Sequence, residues 1–66
     1  MDIESETKTI QEFVVKGNYH AAMNIAISAL NECRRDSDQA GIDHFLEVIE
    51  GIANTMVEEF GSPGRG

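Results

Sequence analysis

The sequence predicts an all-α protein: a three-helix unit or a helical hairpin, paired into a homodimeric helix bundle. Apolar residues recur at spacings of three and four in three segments, which is the period of one helix face. Between the segments stand Gly17-Asn18 and Arg35-Asp36-Ser37-Asp38, whose residue types favour turns and helix caps. We expect residues 1–60 to form a single helical domain and residues 61–66 a disordered tail, because that tail is rich in glycine.

The first helix is expected over Ser5 to Lys16. Its apolar stripe consists of Ile10, Phe13 and Val14. Ser5 can cap the N-terminus of this helix, and Gly17 can adopt the left-handed conformation that often follows a helix C-terminus. Asn18 is then in place to cap the next helix.

The second helix is expected over Tyr19 to Arg34. One apolar stripe contains Tyr19, Ala22, Met23, Ala26, Leu30 and Cys33, and a flanking stripe contains Ala21, Ile25 and Ala29. A surface this wide predicts that the helix has neighbours on two sides.

An alternative keeps the first two segments as one helix through Gly17-Asn18. The break is favoured because such a helix would reach about 45 Å against about 35 Å for its partner helix. A glycine in a helix interior also costs about 1 kcal/mol relative to alanine.

The third helix is expected to begin after Asp36, which forms a capping-box pattern with Gln39, and to end at Phe60 before Gly61. Its main apolar stripe contains Ile42, Phe45, Leu46, Ile49, Ile52, Ala53, Met56 and Phe60, and Val48 and Val57 flank it. A chain of 66 residues cannot cover such a surface from within. We therefore expect a dimer interface formed by Phe45, Ile49, Ile52, Met56 and Phe60.

An acidic stripe runs along the other side of this helix and contains Asp43, Glu47, Glu50 and Glu58. The formal net charge is −7, and residues 36–66 hold seven acidic residues and one basic residue. Such a charge disfavours direct binding to nucleic acids or anionic membranes. The four carboxylates are expected to contact Lys or Arg of a protein partner. Alternatively, the charge only keeps a small dimer soluble.

Residues suited to nucleophilic or metal chemistry are few. His20, Cys33 and His44 match no zinc spacing, and the sequence contains no glycine-rich phosphate loop. We expect neither catalysis nor a cofactor; both histidines should be solvated, and Cys33 should be a small core residue. The acidic N-terminus is unlike a signal peptide, no segment approaches the roughly 18 apolar residues of a membrane span, and the lone cysteine favours the cytoplasm.

Two stretches resemble known helical families. Gly17-Asn18-Tyr19, followed by Ala22, Ala26 and Ala29, resembles the inter-helix turn and second helix of a tetratricopeptide repeat, which implies a closely packed helical hairpin. Leu30-Asn31-Glu32, the acidic loop, the last helix and Phe60-Gly61 resemble the second half of the Rop-like bundle family, which implies an antiparallel hairpin that dimerises. RNA binding does not carry over, because Phe13 to Ile27 contains only one lysine and no arginine.

Together these features predict a small acidic, non-enzymatic helical protein that acts by protein–protein binding. The expected role is a regulator or adaptor of the inhibitor, antitoxin- or immunity-like, or chaperone-like kind. A second hypothesis is a DNA mimic, whose acidic stripes occupy a nucleic-acid-binding protein. A third is a structural dimerisation module whose acidity only keeps it soluble.

Overall fold

The computed structural model describes residues 2–61, which form three α-helices. These are α1 (Ile3–Val15), α2 (Tyr19–Arg35) and α3 (Gln39–Phe60), and no strand occurs in that range. The predicted all-α class and the break at Gly17-Asn18 are confirmed, and the continuous two-helix alternative is wrong. Of the tail predicted over residues 61–66, Gly61 is the C-cap of α3, and residues 62–66 lie outside the described range.

The first helix begins two residues earlier than predicted. Asp2, rather than Ser5, is its N-cap, because the Asp2 side chain accepts a hydrogen bond of 3.2 Å from the backbone N–H of Glu4. Glu4 and Glu6 then occupy the first turn, where negative charge stabilises the positive end of the helix dipole.

The two inter-helix turns use the same backbone hydrogen bonds. In the first turn, Asn18 N–H donates to the Phe13 carbonyl and Gly17 N–H donates to the Val14 carbonyl, both at 2.9 Å. In the second turn the equivalent bonds join residue 38 to residue 33 at 2.9 Å and residue 37 to residue 34 at 3.2 Å. This pair of bonds is the Schellman motif, which requires a residue with positive φ at the helix end. Gly17 fills that position with φ 81°, and Ser37 fills it with φ 56°.

Each turn also supplies the cap of the next helix. Asn18 Oδ1 accepts from Ala21 N–H at 3.3 Å, and Asp38 Oδ1 accepts from Gly41 N–H at 3.0 Å. Asn18 was predicted correctly, but the prediction of Asp36 as a cap is wrong. Asp36 ends α2 in a helical conformation, and Ser37 takes the left-handed position, so the first residue free to cap α3 is Asp38.

The core lies on both sides of α2, which packs against α1 and α3, whereas α1 and α3 meet only slightly. The buried hydrophobic residues are Ile10, Ala22, Ala26, Ala29, Cys33, Phe45 and Ile52. The alanines of α2 allow both neighbouring helices to approach closely. The predicted two-sided contact of α2 is therefore confirmed, as is the core position of Cys33, whose exposed fraction is 1%.

Two residues assigned to the dimer interface belong instead to the core of the single chain. Phe45 is 0% exposed and Ile52 is 4% exposed, so neither can contact a second copy in this conformation. Ile49 and Met56 are half-buried against the same core, and Phe60 is 71% exposed. The helix is rotated relative to the predicted stripe, so that Val48 packs inward and Leu46 faces outward.

Candidate protein-binding surface

An open groove separates α1 from α3, because both helices pack on α2 and hardly on each other. The groove has a volume of about 380 Å³. Ile10, Val14, Val48 and Ile52 are its larger inward-packed apolar residues, and Gln11, Val15, Glu47, Gly51 and Thr55 complete its lining. Val15 is 86% exposed, so the groove presents an apolar side chain that the chain itself leaves uncovered.

One end of the groove is closed by a hydrogen bond between α1 and α3. Thr7 Oγ1 and His44 Nε2 are 2.8 Å apart. The Thr7 hydroxyl also donates to the Ile3 carbonyl at 2.7 Å, so its oxygen is an acceptor for the His44 tautomer that carries its proton on Nε2. The imidazole also meets the Phe45 ring edge-on, with centroids 5.0 Å apart. His44 is thus exposed, as predicted, but it also joins the two helices.

The four residues of the acidic stripe are all exposed, and they lie on the side of α3 away from Phe45 and Ile52. From Asp43 to Glu58 the stripe spans about 22 Å of helix. Glu47 belongs both to the stripe and to the groove lining. Of the four stripe residues only Glu47 lines the groove, so the structure places one carboxylate on the α3 side of the apolar groove.

Charge on the α1 side of the groove is mixed. Lys8 and Lys16 lie on this helix among Glu4 and Glu12, along the outer continuation of the groove. Lys16 Nζ lies 5.8 Å from the centroid of the Phe13 ring, which holds this cation near its own helix. The negative character of the groove therefore comes from α3.

Of the nine residues that line the groove, the sequence patterns assigned only Glu47 and Ile52 to a binding surface. Val48 was only assigned to the flank of the α3 stripe. One sequence signal for the groove was available. Glu47, Gly51 and Thr55 follow one another at a spacing of four, and Gly51 places a residue without a side chain next to the acidic stripe. The Thr55 hydroxyl donates to the Gly51 carbonyl at 2.9 Å, so it is already engaged within the helix.

The residues suited to nucleophilic or metal chemistry lie apart from this groove or act structurally. His20 is exposed on α2, and Cys33 is buried. Burial raises the pKa of the Cys33 thiol, and the carboxylates of Asp38, Asp36 and Glu32 raise it further. No group of three or more metal-binding side chains occurs among residues 2–61. The groove, with Glu47 at its edge, is suited to holding an apolar segment that carries positive charge.

None of the three described helices is long and apolar enough to cross a membrane. Comparison with protein-family models, curated proteins and solved structures finds no match to this chain. The tetratricopeptide-like turn and the Rop-like second half therefore remain local resemblances in sequence.

Proposed function

We propose that this protein is a small, acidic, non-enzymatic regulator or adaptor that acts by binding a protein partner. The observation that carries the proposal is the position of Glu47, which joins the acidic stripe to the apolar groove. The partner that fits is an amphipathic segment whose apolar side chains enter the groove. Its Lys or Arg side chains would meet Glu47 and the neighbouring carboxylates of α3.

The two parts of this surface contribute differently to binding. Burial of the groove residues supplies affinity, at roughly 25 cal/mol for each Å² of apolar surface removed from water. Exposed carboxylates such as Glu50 and Glu58 mainly accelerate association and select a basic partner. Their effect is screened by salt, with a Debye length of about 8 Å at physiological ionic strength. Binding should therefore weaken with salt without being abolished.

The length of the groove limits the size of the segment. It runs from the Thr7–His44 hydrogen bond to Val15 and Thr55, which is about 16 Å along α3. A helical segment of about three turns fills that length. The proposal therefore concerns a short helix of a larger partner and not an extended interface.

The experiment is partner capture from lysate of the source cells, with mass-spectrometric identification and elution by a salt gradient. Wild-type protein is compared with Glu47→Lys and Val15→Glu, which alter the acidic wall and the apolar rim of the groove. Asp36→Lys is the matched control, because it reverses one exposed charge in the turn between α2 and α3, outside both the groove lining and the acidic stripe.

We expect one partner whose capture is lost with Glu47→Lys and Val15→Glu and kept with Asp36→Lys. A partner retained by all three variants would place the binding surface elsewhere. Nucleic-acid-binding proteins displaced by added DNA would favour the DNA-mimic hypothesis instead. Absence of any partner at low salt would contradict both.

We further propose that the chain acts as a homodimer in the cytoplasm. Support for the dimer comes from the small core, in which three of the seven buried hydrophobic residues are alanine. Of the predicted interface residues, Phe60 is largely exposed and Ile49 and Met56 lie at the edge of the core. The free thiol of Cys33 supports a reducing compartment.

A further inference from the structure

Helix α3 carries a second apolar row beside the one that packs on α2. The inward row contains Phe45, Val48 and Ile52. The second row, named here the α3 seam, contains Ile42, Leu46, Ile49, Ala53, Met56 and Phe60. Its spacings alternate between four and three, which is the heptad pattern by which one helix packs along another.

The seam is only half covered by its own chain. Leu46 is 50% exposed, and Ala53 and Phe60 are also exposed. Ile42, Ile49 and Met56 are half-buried against the core. Every second residue of the heptad pattern is thus exposed, whereas Ile42, Ile49 and Met56 are already held against the core.

Apolar residues of α2 extend this surface. The Tyr19 ring meets the Phe60 ring edge-on with centroids 5.9 Å apart. From Tyr19 an apolar row continues along α2 through Met23, Ile27 and Leu30, and Ile27 is 42% exposed. Because α2 and α3 are joined by a short turn and run antiparallel, this row follows the seam back toward Leu46. The result is a broad apolar face without a charged residue in either row.

The charge distribution indicates which kind of partner binds this apolar face. A cationic partner finds no carboxylate within the seam and gains more at the groove. A second copy of the chain carries a net charge of −7, so it is repelled wherever acidic surfaces meet. The seam itself carries no charge, and Asp43 and Glu50 border it beside Leu46, so two such copies can approach most closely along the apolar row. Burial of the seam adds to a small core.

We infer that two copies of this chain pair through the α3 seam, with their α3 helices antiparallel. In that register Leu46 lies opposite the partner subunit's Met56, and Ile42 lies opposite the partner subunit's Phe60. Ile49 lies opposite the partner subunit's Ala53, so a large side chain meets a small one. A parallel pairing would place the two alanines together and leave a gap. The inference rests on the proposed homodimer, and it specifies which surface the two copies share and how their α3 helices are oriented.

The first experiment measures molecular mass by light scattering and sedimentation, together with helicity by circular dichroism. Wild-type protein and Val15→Glu, which changes an exposed apolar residue outside the seam, are expected to be dimers. Leu46→Glu is expected to be a folded monomer. A monomeric wild type at all concentrations would refute the homodimer and the seam together. A dimeric Leu46→Glu would refute the seam and leave the homodimer standing.

The second experiment tests orientation by disulfide formation in a Cys33→Ala background, with folding verified by circular dichroism. A disulfide requires Cα atoms within about 7 Å. Positions 46 and 56 are about 15 Å apart within one helix, so the double variant Leu46→Cys/Met56→Cys can form disulfides only between copies.

The antiparallel seam predicts that the double variant forms covalent dimers and that Leu46→Cys alone does not. Covalent dimers of Leu46→Cys alone would show a parallel pairing and overturn the orientation. A dimeric double variant that forms no disulfide would overturn the register. Neither result would bear on partner binding at the groove, which is tested by Glu47→Lys.

Discussion

Gly41 lies directly against Cys33. A Cβ atom built at Gly41 would be 2.6 Å from the Cys33 sulfur and 2.8 Å from Oδ2 of Asp38. Both distances are shorter than nonbonded atoms tolerate. The missing side chain therefore allows the first turn of α3 to close onto the last turn of α2, which sets how α3 lies on the core.

Gly41→Ala should destabilise the protein by about 1–3 kcal/mol, because the added methyl group is forced into a filled core. Urea unfolding followed by circular dichroism measures the change. Gly51→Ala is the matched control: this glycine lies in the exposed interior of the same helix with open space around it. It should gain up to about 1 kcal/mol, since alanine is the better helix former. Equal effects at the two positions would contradict the close approach at Cys33.

The two inter-helix turns should respond oppositely to exchange of glycine and serine. Ser37 holds a left-handed φ of 56° that is unfavourable for a residue with a side chain, so Ser37→Gly should stabilise by about 1 kcal/mol. Gly17→Ser should destabilise by a similar amount, about 1 kcal/mol, for the same reason. Thermal unfolding of both variants checks the pair. Changes of the same sign would show that the turns are not equivalent.

Ile52→Glu should unfold the single chain and not merely separate a dimer. Ile52 is buried among apolar residues, and an unpaired charge there costs several kcal/mol against a stability that is marginal in small domains. Circular dichroism should show loss of helicity, whereas Leu46→Glu, on the exposed side of the same helix, should keep it. A fully helical Ile52→Glu variant would show that Ile52 does not lie on the inward face of α3.

Stability should fall at alkaline pH because of Cys33. Burial, followed by Asp38, Asp36 and Glu32, raises the thiol pKa above its ordinary value of 9.0. The folded state therefore favours the protonated thiol, and this contribution is complete below pH 9.0. It is lost as the pH rises through the folded-state pKa. Urea unfolding at increasing pH should show the decline, and Cys33→Ala should show a smaller one. An identical decline in both would assign it to other groups.

The amino-acid sequence was sufficient to predict the three helices, the start of α2 at Asn18 and the ends of α1 and α3, but not the caps Asp2 and Asp38. Local backbone chemistry is fully specified by the sequence. It governs the periodic apolar residues of the helices, the cap at Asn18 and the helix-ending residues Gly17 and Gly61. It also determined that α2 has two neighbours, because its apolar residues cover two sides. The acidic stripe could also be predicted from the sequence, because its four residues share one face of a single helix.

The apolar row of α3 that packs inward could not be predicted from the sequence. The apolar residues of α3 cover a wide arc, so helical period alone could not separate Phe45 and Ile52 from Leu46 and Ala53. The choice depends on contacts between residues of different helices, such as the approach of Gly41 in α3 to Cys33 in α2. The groove depends likewise on how α1 and α3 sit on α2, and the Thr7–His44 bond closes it across 37 positions. Nonlocal packing, which no short sequence pattern records, therefore placed the candidate site.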